Sequence, residues 1–305
     1  MNGFVNFLKP PGMTSHDAVL WFRNLTGERK TGHLGTLDPM ATGVLPLAVG
    51  SSRKLTEYLI AKDKEYEAEF IFGISTNTGD ITGEILERAD CTGLTAERVL
   101  AALPSLVGEI LQVPPAFSAV KTSGRRLYEL ARRGESVRPG PRKVTVYEFS
   151  LVKWRGGTNP AAVFHLRVGK GTYVRSLAQS LGEMVGTGAS VSRLERTRVG
   201  PFRVQDGYSP QELVELKRKG KIEEAVVPPA ACLPEFPVCV AGPGVARAVK
   251  NGAPLELSVI PTPVREDLLR HEGSGMFFLV DQKGQTLALM RLEKDRIRYE
   301  KVLIT

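Results

Sequence analysis

The stretch "KEYEAEFIF" at residues 64–72 alternates between apolar and polar side chains. Apolar or aromatic residues occupy one face, and three glutamates occupy most of the other. Because successive side chains of a β-strand point to opposite faces, this pattern predicts a strand with one buried and one solvated face. Tyr66 belongs to the buried face and lies near one end of the predicted strand.

Segments on both sides of this strand predict a mixture of strands and helices. Residues 3–8 indicate a short strand that stops at "KPPGMTS", where prolines and a glycine force a turn. A helix follows, capped by Thr14 or Ser15 and ended by Gly27. Downstream, "KVTVYEFSLVKW" and "AAVFHLRVGK" are typical of strands, and "RRLYELARRG" indicates a short helix.

A shift in composition marks the best candidate for a domain boundary. Residues 228–243 are rich in proline and alanine, and the chain beyond them predicts a hairpin and a closing strand. We therefore expect one domain over 1–230 and a small β-rich domain over 231–305. The fold class predicted is α+β, a mixed and largely antiparallel sheet with helices packed against it.

The charge of the chain favours an anionic partner. The 305 residues carry 41 Lys+Arg against 33 Asp+Glu, a formal net charge of +8. Eight Lys/Arg and two Glu lie within residues 121–143, so most of the excess is concentrated there. Nucleic acid is the commonest partner for such a segment, although a solvated charged helix and loop would look the same.

Cysteine and histidine spacing indicates no metal site and no disulfide framework. The three cysteines lack a CxxC spacing and the four histidines are scattered. We therefore expect no metal and no cofactor. We also expect a cytoplasmic protein, because the N-terminal residues lack the features of a signal peptide. A membrane location is not expected either, since no apolar run approaches about 18 residues.

A single carboxylate stands out in "GHLGTLDPMATGVLPLAVG" at residues 32–50. Pro39 biases Asp38 toward an extended backbone, and the surrounding glycines allow close approach of a partner. Such a carboxylate is suited either to accept backbone hydrogen bonds at a turn or to attack a substrate. A phosphate-binding loop is disfavoured, because the stretch lacks a GK[ST] motif.

A second short motif, "GTYVRSL", supplies a possible partner for this carboxylate. Tyr173 and Arg175 are two residues apart, so on an extended segment both side chains would point to one face. Arg175 could then bind a carboxylate through two nitrogens, and Tyr173 could pack beneath a planar ligand. The alternative is a core tyrosine beside a surface arginine.

Six motifs together resemble one enzyme family. In chain order they are "KPPGMTSHD", "TGHLGTLDPMATGVLPLAVG", "DKEYEAEFIFG", "PPAFSAVKTSGRRLYELAR", "GTYVRSL" and "RTRVGPF". This series is similar to the tRNA pseudouridine-55 synthases of the bacterial TruB type, over roughly residues 3–210. The C-terminal part resembles their RNA-binding PUA-like domain more weakly. The resemblance implies a sheet of the pseudouridine synthase type.

The resemblance also implies roles for single residues. Asp38 would be the catalytic nucleophile, Arg175 its ion-pair partner, and Tyr66 an aromatic that stacks on the target uracil and is a candidate base. Residues implied to bind or flank the substrate are Tyr173, Leu194, His33, Lys9 and Pro10. Phe117 departs from the family pattern, since many relatives have tyrosine there.

Residues 114–143 would form an insertion that closes over the T-stem loop of tRNA. The basic residues implied to contact RNA are Lys121, Arg125, Arg126, Arg132, Arg133, Arg142 and Lys143. We expect a monomer that needs tRNA and no protein partner. The implied reaction is isomerisation of uridine 55 to pseudouridine on a flipped-out nucleoside.

Several alternatives stay open on the sequence alone. Asp38 could attack C1′ of the ribose or C6 of the uracil, or the reaction could pass through a glycal. The protein could instead be an RNA-binding or RNA-folding module with a degenerate site. A third possibility keeps the chemistry but changes the substrate to ribosomal RNA, or places the chain in a guide-RNA particle.

Overall fold

The computed structural model describes residues 1–115, 117–118, 121–122, 125–126, 139–242, 244–262, 264–266, 275–293 and 296–304. The strands are β1 (Gly3–Lys9), β2 (Thr31–His33), β3 (Thr42–Val49), β4 (Lys64–Phe72), β5 (Ile74–Thr76), β6 (Ile85–Arg88), β7 (Gly108–Gln112), β8 (Lys121–Thr122), β9 (Arg125–Arg126), β10 (Arg142–Arg155), β11 (Ala161–Val168), β12 (Ala189–Val199), β13 (Phe202–Arg203), β14 (Val226–Val227), β15 (Val238–Val240), β16 (Met276–Val280), β17 (Thr286–Glu293) and β18 (Arg296–Val302). The α-helices are α1 (Ser15–Thr26), α2 (Thr56–Ile60), α3 (Ala96–Ala102), α4 (Val174–Met184), α5 (Pro210–Arg218), α6 (Pro229–Cys232) and α7 (Val245–Lys250).

A ten-stranded sheet forms the centre of the molecule. Its strand order is β14-β1-β3-β12-β4-β11-β10-β7, with β13 on β12 and β2 on β3. The pairing of β12 with β3 is parallel, and the other pairings of this sheet in the described residues are antiparallel. The predicted α+β class with a mixed, largely antiparallel sheet is therefore confirmed.

Strand β4 lies inside this sheet, between β12 and β11. Its residues alternate between buried and half-buried along the whole strand, as the sequence pattern predicts. Tyr66 is on the buried side and pairs in register with Leu166 on β11 and Arg196 on β12. The strand thereby brings an aromatic residue into the middle of the sheet.

Helix α1 begins and ends at the predicted signals. Thr14 is the N-cap, and its hydroxyl and the Asp17 carboxylate satisfy each other's backbone N–H groups in a capping box. Gly27 ends the helix with φ +76, a left-handed conformation that glycine adopts without a steric penalty. Ala18 and Phe22 are buried against the sheet, so the helix contributes its apolar face to the core.

One local prediction was wrong, and a second was wrong at its start. Arg175 does not follow Tyr173 on an extended segment, because Tyr173 is the N-cap of α4 and Arg175 is the second residue of the helix. The backbone of Tyr173 is fixed by the Gln112 side chain, whose Oε1 accepts from its N–H at 2.7 Å. The predicted helix "RRLYELARRG" does not begin at Arg125, since Arg125–Arg126 is strand β9, paired with β8; its remainder, from 127 on, lies outside the described residues.

The C-terminal part forms a four-stranded sheet of order β15-β16-β17-β18. The predicted hairpin and closing strand correspond to β16, β17 and β18. Phe278 and Leu289 of this sheet share a buried cluster with Phe4 and Val44 of the large sheet. The domain boundary at 230/231 stays a prediction. Among the described residues, no helix is long and apolar enough to cross a membrane.

Candidate active site

Asp38 lies in the loop of residues 34–41, here called the Asp38 loop, between strands β2 and β3. The Ser15 hydroxyl fixes the residue before it, accepting from the N–H of Leu37 at 2.8 Å and donating to its carbonyl at 3.1 Å. The carbonyl of Pro39 accepts from the N–H of Gly12 at 2.8 Å. Asp38 is thus held on one side by the first residue of α1 and on the other by the turn that precedes this helix.

Lys9 adds a buried cation to this arrangement. Its Nζ donates to the carbonyls of Pro10 and Met13 at 2.8 Å and of Pro39 at 3.2 Å. Burial lowers the pKa of Lys9 to about 8, and the negative charge of Asp38 works against this shift. Lys9 and Pro10 lie beside the Asp38 loop, and their predicted contact with substrate stays a prediction.

Arg175 meets Asp38 directly. Its Nη2 donates to Oδ1 at 3.1 Å, and its Nε lies 2.8 Å from Oδ2 as an ion pair whose N–H is not aligned for a hydrogen bond. The Arg175 side chain is 4% exposed, whereas that of Asp38 is 30% exposed. The buried arginine therefore fixes the carboxylate and leaves part of it open to a ligand.

Arg175 also joins two further loops to Asp38. Its Nη1 donates to the carbonyl of Thr78 at 2.7 Å, and its Nη2 donates to the carbonyl of Phe117 at 2.9 Å. The contact with Phe117 uses the backbone, so the departure from tyrosine at this position does not affect it. Arg175 thereby ties the root of the predicted insertion to Asp38.

Asp80 is a second carboxylate that sequence reasoning missed. Its Oδ2 lies 3.9 Å from Arg175 Nε, and its side chain is 7% exposed. Oδ1 accepts from the hydroxyls of Thr78 and Thr82 and from the N–H of Thr82. The signal was a lone acid among glycines and threonines in "NTGDITG" at 77–83.

The predicted uridine-binding residues lie on four different elements. Tyr66 on β4 and Leu194 on β12 are 8% and 5% exposed, and they share the large hydrophobic cluster with Leu37 of the Asp38 loop. Tyr173 is half-buried at the start of α4, where burial raises its pKa and the charge of Arg175 opposes the shift. His33 is half-buried on β2, which leads into the Asp38 loop.

The predicted RNA-contacting residues are only partly described. Arg142 and Lys143 are exposed at the start of β10. The backbones of Lys121, Arg125 and Arg126 belong to strands β8 and β9. Arg132 and Arg133 lie outside the described residues.

We predict that Lys9 and Lys64 each add to the free energy of unfolding as the pH rises from 8 to 10. Burial lowers the pKa of each lysine to about 8 in the folded protein, against 10.5 for an ordinary lysine. In that window the unfolded chain binds more protons at these two groups, so each contributes a slope of up to about 1.4 kcal/mol per pH unit. Burial raises the pKa of the Cys232 and Cys239 thiols, which contribute with the opposite sign, so the contribution of a lysine is measured as a difference. Urea unfolding at several pH values compares wild type with Lys64→Met, whose slope should be lower by up to about 1.4 kcal/mol per pH unit; equal slopes would contradict the prediction.

Comparisons with known proteins agree with this fold. In a crystal structure of a Cbf5-Nop10-Gar1 complex, one chain superposes with a TM-score of 0.69 at 25% identity, covering 99% of this chain and 85% of that one. A chain in a structure of an H/ACA RNP bound to a substrate RNA containing 2′-deoxyuridine has the same TM-score at 23% identity, with the same coverage.

The model of the N-terminal domain of TruB family pseudouridylate synthases matches residues 23–174, and that of the tRNA pseudouridylate synthase B C-terminal domain matches residues 175–231. The site and these matches together define the class of the pseudouridylate synthases.

Curated relatives narrow the class to a family. The tRNA pseudouridine synthase B of Moorella thermoacetica is 42% identical over 96% of this chain and 94% of its own length. Those of Symbiobacterium thermophilum and Bacillus anthracis are 45% and 41% identical, each over 83% of both chains. The chain belongs to the TruB family of pseudouridylate synthases.

Proposed function

We propose that this protein isomerises uridine 55 in the T loop of tRNA to pseudouridine. The observation that carries the proposal is the half-open carboxylate of Asp38, held by the buried Arg175. The relatives named tRNA pseudouridine synthase B, at 41–45% identity, support tRNA as the substrate.

The reaction needs few chemical groups. The C1′–N1 glycosidic bond breaks, the uracil turns, and C5 bonds to C1′. The C5 proton leaves and N1 takes up a proton, so the product is an isomer and no net oxidation occurs. Asp38 is the nucleophile in two routes, attacking either C1′ or C6, and a third route removes a proton at C2′ to give a glycal. Tyr66 is the candidate base in this scheme, because it is the tyrosine that β4 carries into the buried side of the sheet.

The target uridine must leave the folded tRNA elbow before Asp38 can reach it. Flipping costs a few kcal/mol, which stacking on aromatic side chains and phosphate contacts offset. In the proposed complex Tyr66 stacks on the uracil, Tyr173 and Leu194 line the pocket, and His33 contacts the RNA where the base leaves its stack. Lys9 and Pro10 flank the cleft.

The proposed RNA interface extends beyond the pocket. The insertion at 114–143 closes over the T-stem loop and supplies phosphate contacts, since its net charge is strongly positive. The PUA-like domain at 231–305 adds RNA contacts outside the catalytic domain at 1–230. The enzyme acts as a monomer without a protein partner.

Tritium release from tRNA labelled at C5 of uridine tests this function. Each conversion releases the C5 label to water, so the wild-type protein should release one label per tRNA. A matched transcript with cytidine at position 55 and the same label elsewhere should release none. Binding without release would identify an RNA-binding module, and release from the cytidine transcript would move the site to another uridine.

We predict that neutralising Arg125, Arg126, Arg132 and Arg133 together weakens tRNA binding and flattens its salt dependence. Removing one arginine–phosphate interaction reduces the slope of log K against log salt by about 0.7–0.9. Filter binding across a salt series measures both effects. The control neutralises four exposed basic residues with the same charge change, namely Lys217, Arg218, Lys219 and Lys221. Equal affinity and slope in the first variant would remove the insertion from the interface.

A further inference from the structure

Arg196 on β12 is a fully buried cation against the Asp38 loop. Its side chain is among the largest in the core, and the residue is 1% exposed. Nε donates to the carbonyl of Val44 at 2.8 Å, Nη1 to that of Thr36 at 3.2 Å and Nη2 to that of Gly35 at 3.3 Å. Within the described ranges Arg196 forms no ion pair, so carbonyl dipoles alone compensate a charge that is costly to bury.

The contacts of Arg196 complete an unbroken series along the loop. Each carbonyl from residue 35 to residue 39 accepts a hydrogen bond. Arg196 donates to the carbonyls of residues 35 and 36, and the Ser15 hydroxyl donates to that of residue 37. Backbone N–H groups donate to the carbonyls of residues 38 and 39, and Lys9 also donates to that of residue 39. Because these hydrogen bonds hold the backbone on both sides of Asp38, they fix the position from which its carboxylate meets Arg175.

Backbone packing reinforces the contact at the point where the loop enters β3. Gly43 pairs in register with Lys9 on β1 and with Arg196 on β12. It adopts φ +95, and a Cβ there would clash with the backbone carbonyl of Arg196. The end of the Asp38 loop is therefore enclosed between the two strands that carry the two buried cations.

We propose that Arg196 is a positioning residue for the nucleophile, acting through the carbonyls of Gly35 and Thr36. This inference rests on the proposed function of Asp38. The planar fork of a guanidinium can bind two adjacent carbonyls and a third on the next strand, whereas a lysine ammonium offers a compact charge on a flexible stem. A reacting group is held to catalytic accuracy only when such a supporting shell fixes it.

The substitution Arg196→Lys tests the proposal, since it keeps the charge and removes the fork. Pseudouridine formation is measured in a single turnover with enzyme in excess over labelled tRNA, and tRNA affinity is measured separately. We expect the saturating rate constant to fall roughly 100-fold, the usual cost of a displacement of about 1 Å, with the tRNA Kd within threefold. A purely structural role would not produce this split, because unfolded enzyme lowers the active concentration and not the rate constant of folded, saturated enzyme.

Two further variants complete the test. Arg193→Lys, on an exposed arginine of the same strand paired with Glu67 and Glu195, should keep the wild-type rate. Ser15→Ala removes the hydrogen bonds to the N–H and the carbonyl of Leu37, so it should also lower the rate constant. Sucrose is added to the assay to stabilise any variant with a lowered free energy of unfolding. A wild-type rate constant in Arg196→Lys overturns the proposal. A wild-type protein that forms no pseudouridine overturns the proposed function instead.

Discussion

Asp38→Asn is expected to abolish pseudouridine formation while tRNA affinity stays within about tenfold. Asparagine keeps the shape of the side chain but cannot act as an anionic nucleophile, so the change removes a reacting group and leaves the RNA contacts in place. We expect the single-turnover rate to fall by at least about 10⁴-fold, the scale seen when a member of a catalytic set is removed. Tritium release with enzyme in excess measures the rate, and filter binding measures the affinity.

Asp206→Asn is a suitable control for this variant. Asp206 is exposed, far along the chain from the Asp38 loop, and the substitution makes the same change of charge. The control should release label at the wild-type rate. Equal release by wild type and Asp38→Asn would show that another group carries out the chemistry, whereas a parallel loss of tRNA binding would assign Asp38 to recognition.

Much of the scaffold could be predicted from local sequence patterns. Strand β4 alternates strictly because its two faces meet core and solvent, and such a period is visible in nine residues. The caps of α1 are equally local, since Thr14 and Asp17 satisfy each other's backbone N–H groups and Gly27 adopts the left-handed conformation that ends the helix. Strands and helix caps that depend only on residues close together in the chain can be predicted from the sequence without knowing the fold.

The site could be predicted only in part, because its geometry joins distant segments. The start of α4 at Val174 depends on Gln112, which binds the backbone of Tyr173 from 61 residues away. Arg175 consequently reaches Asp38 from a helix and not from the extended segment that the spacing suggested. Asp80 and Arg196 gave weak sequence signals, since one is an acid in a polar turn and the other an arginine on a strand with several charges.

Arg175→Lys is expected to lower the rate of pseudouridine formation by at least about 100-fold. The arginine binds Asp38, the carbonyl of Thr78 and the carbonyl of Phe117 at the same time. A lysine keeps the charge but cannot reach three loops in these directions. The carboxylate would lose its fixed orientation, and a misplaced nucleophile costs roughly 100-fold. Because Arg175 is 4% exposed and sits behind Asp38, tRNA affinity should change by less than about tenfold.

A double-mutant cycle with Asp80→Asn separates the two carboxylates that face Arg175. Asp80 Oδ2 lies 3.9 Å from Nε, so its charge helps to balance the buried guanidinium without touching the open side of Asp38. If both residues act through one network, the double variant should be about as slow as Arg175→Lys alone, because neighbouring groups are not additive. Arg167→Lys, on a half-buried arginine that pairs with Asp63, is the matched control and should leave the rate unchanged. A rate for Arg175→Lys within tenfold of wild type would mean that the Asp38 loop holds the nucleophile without its ion-pair partner.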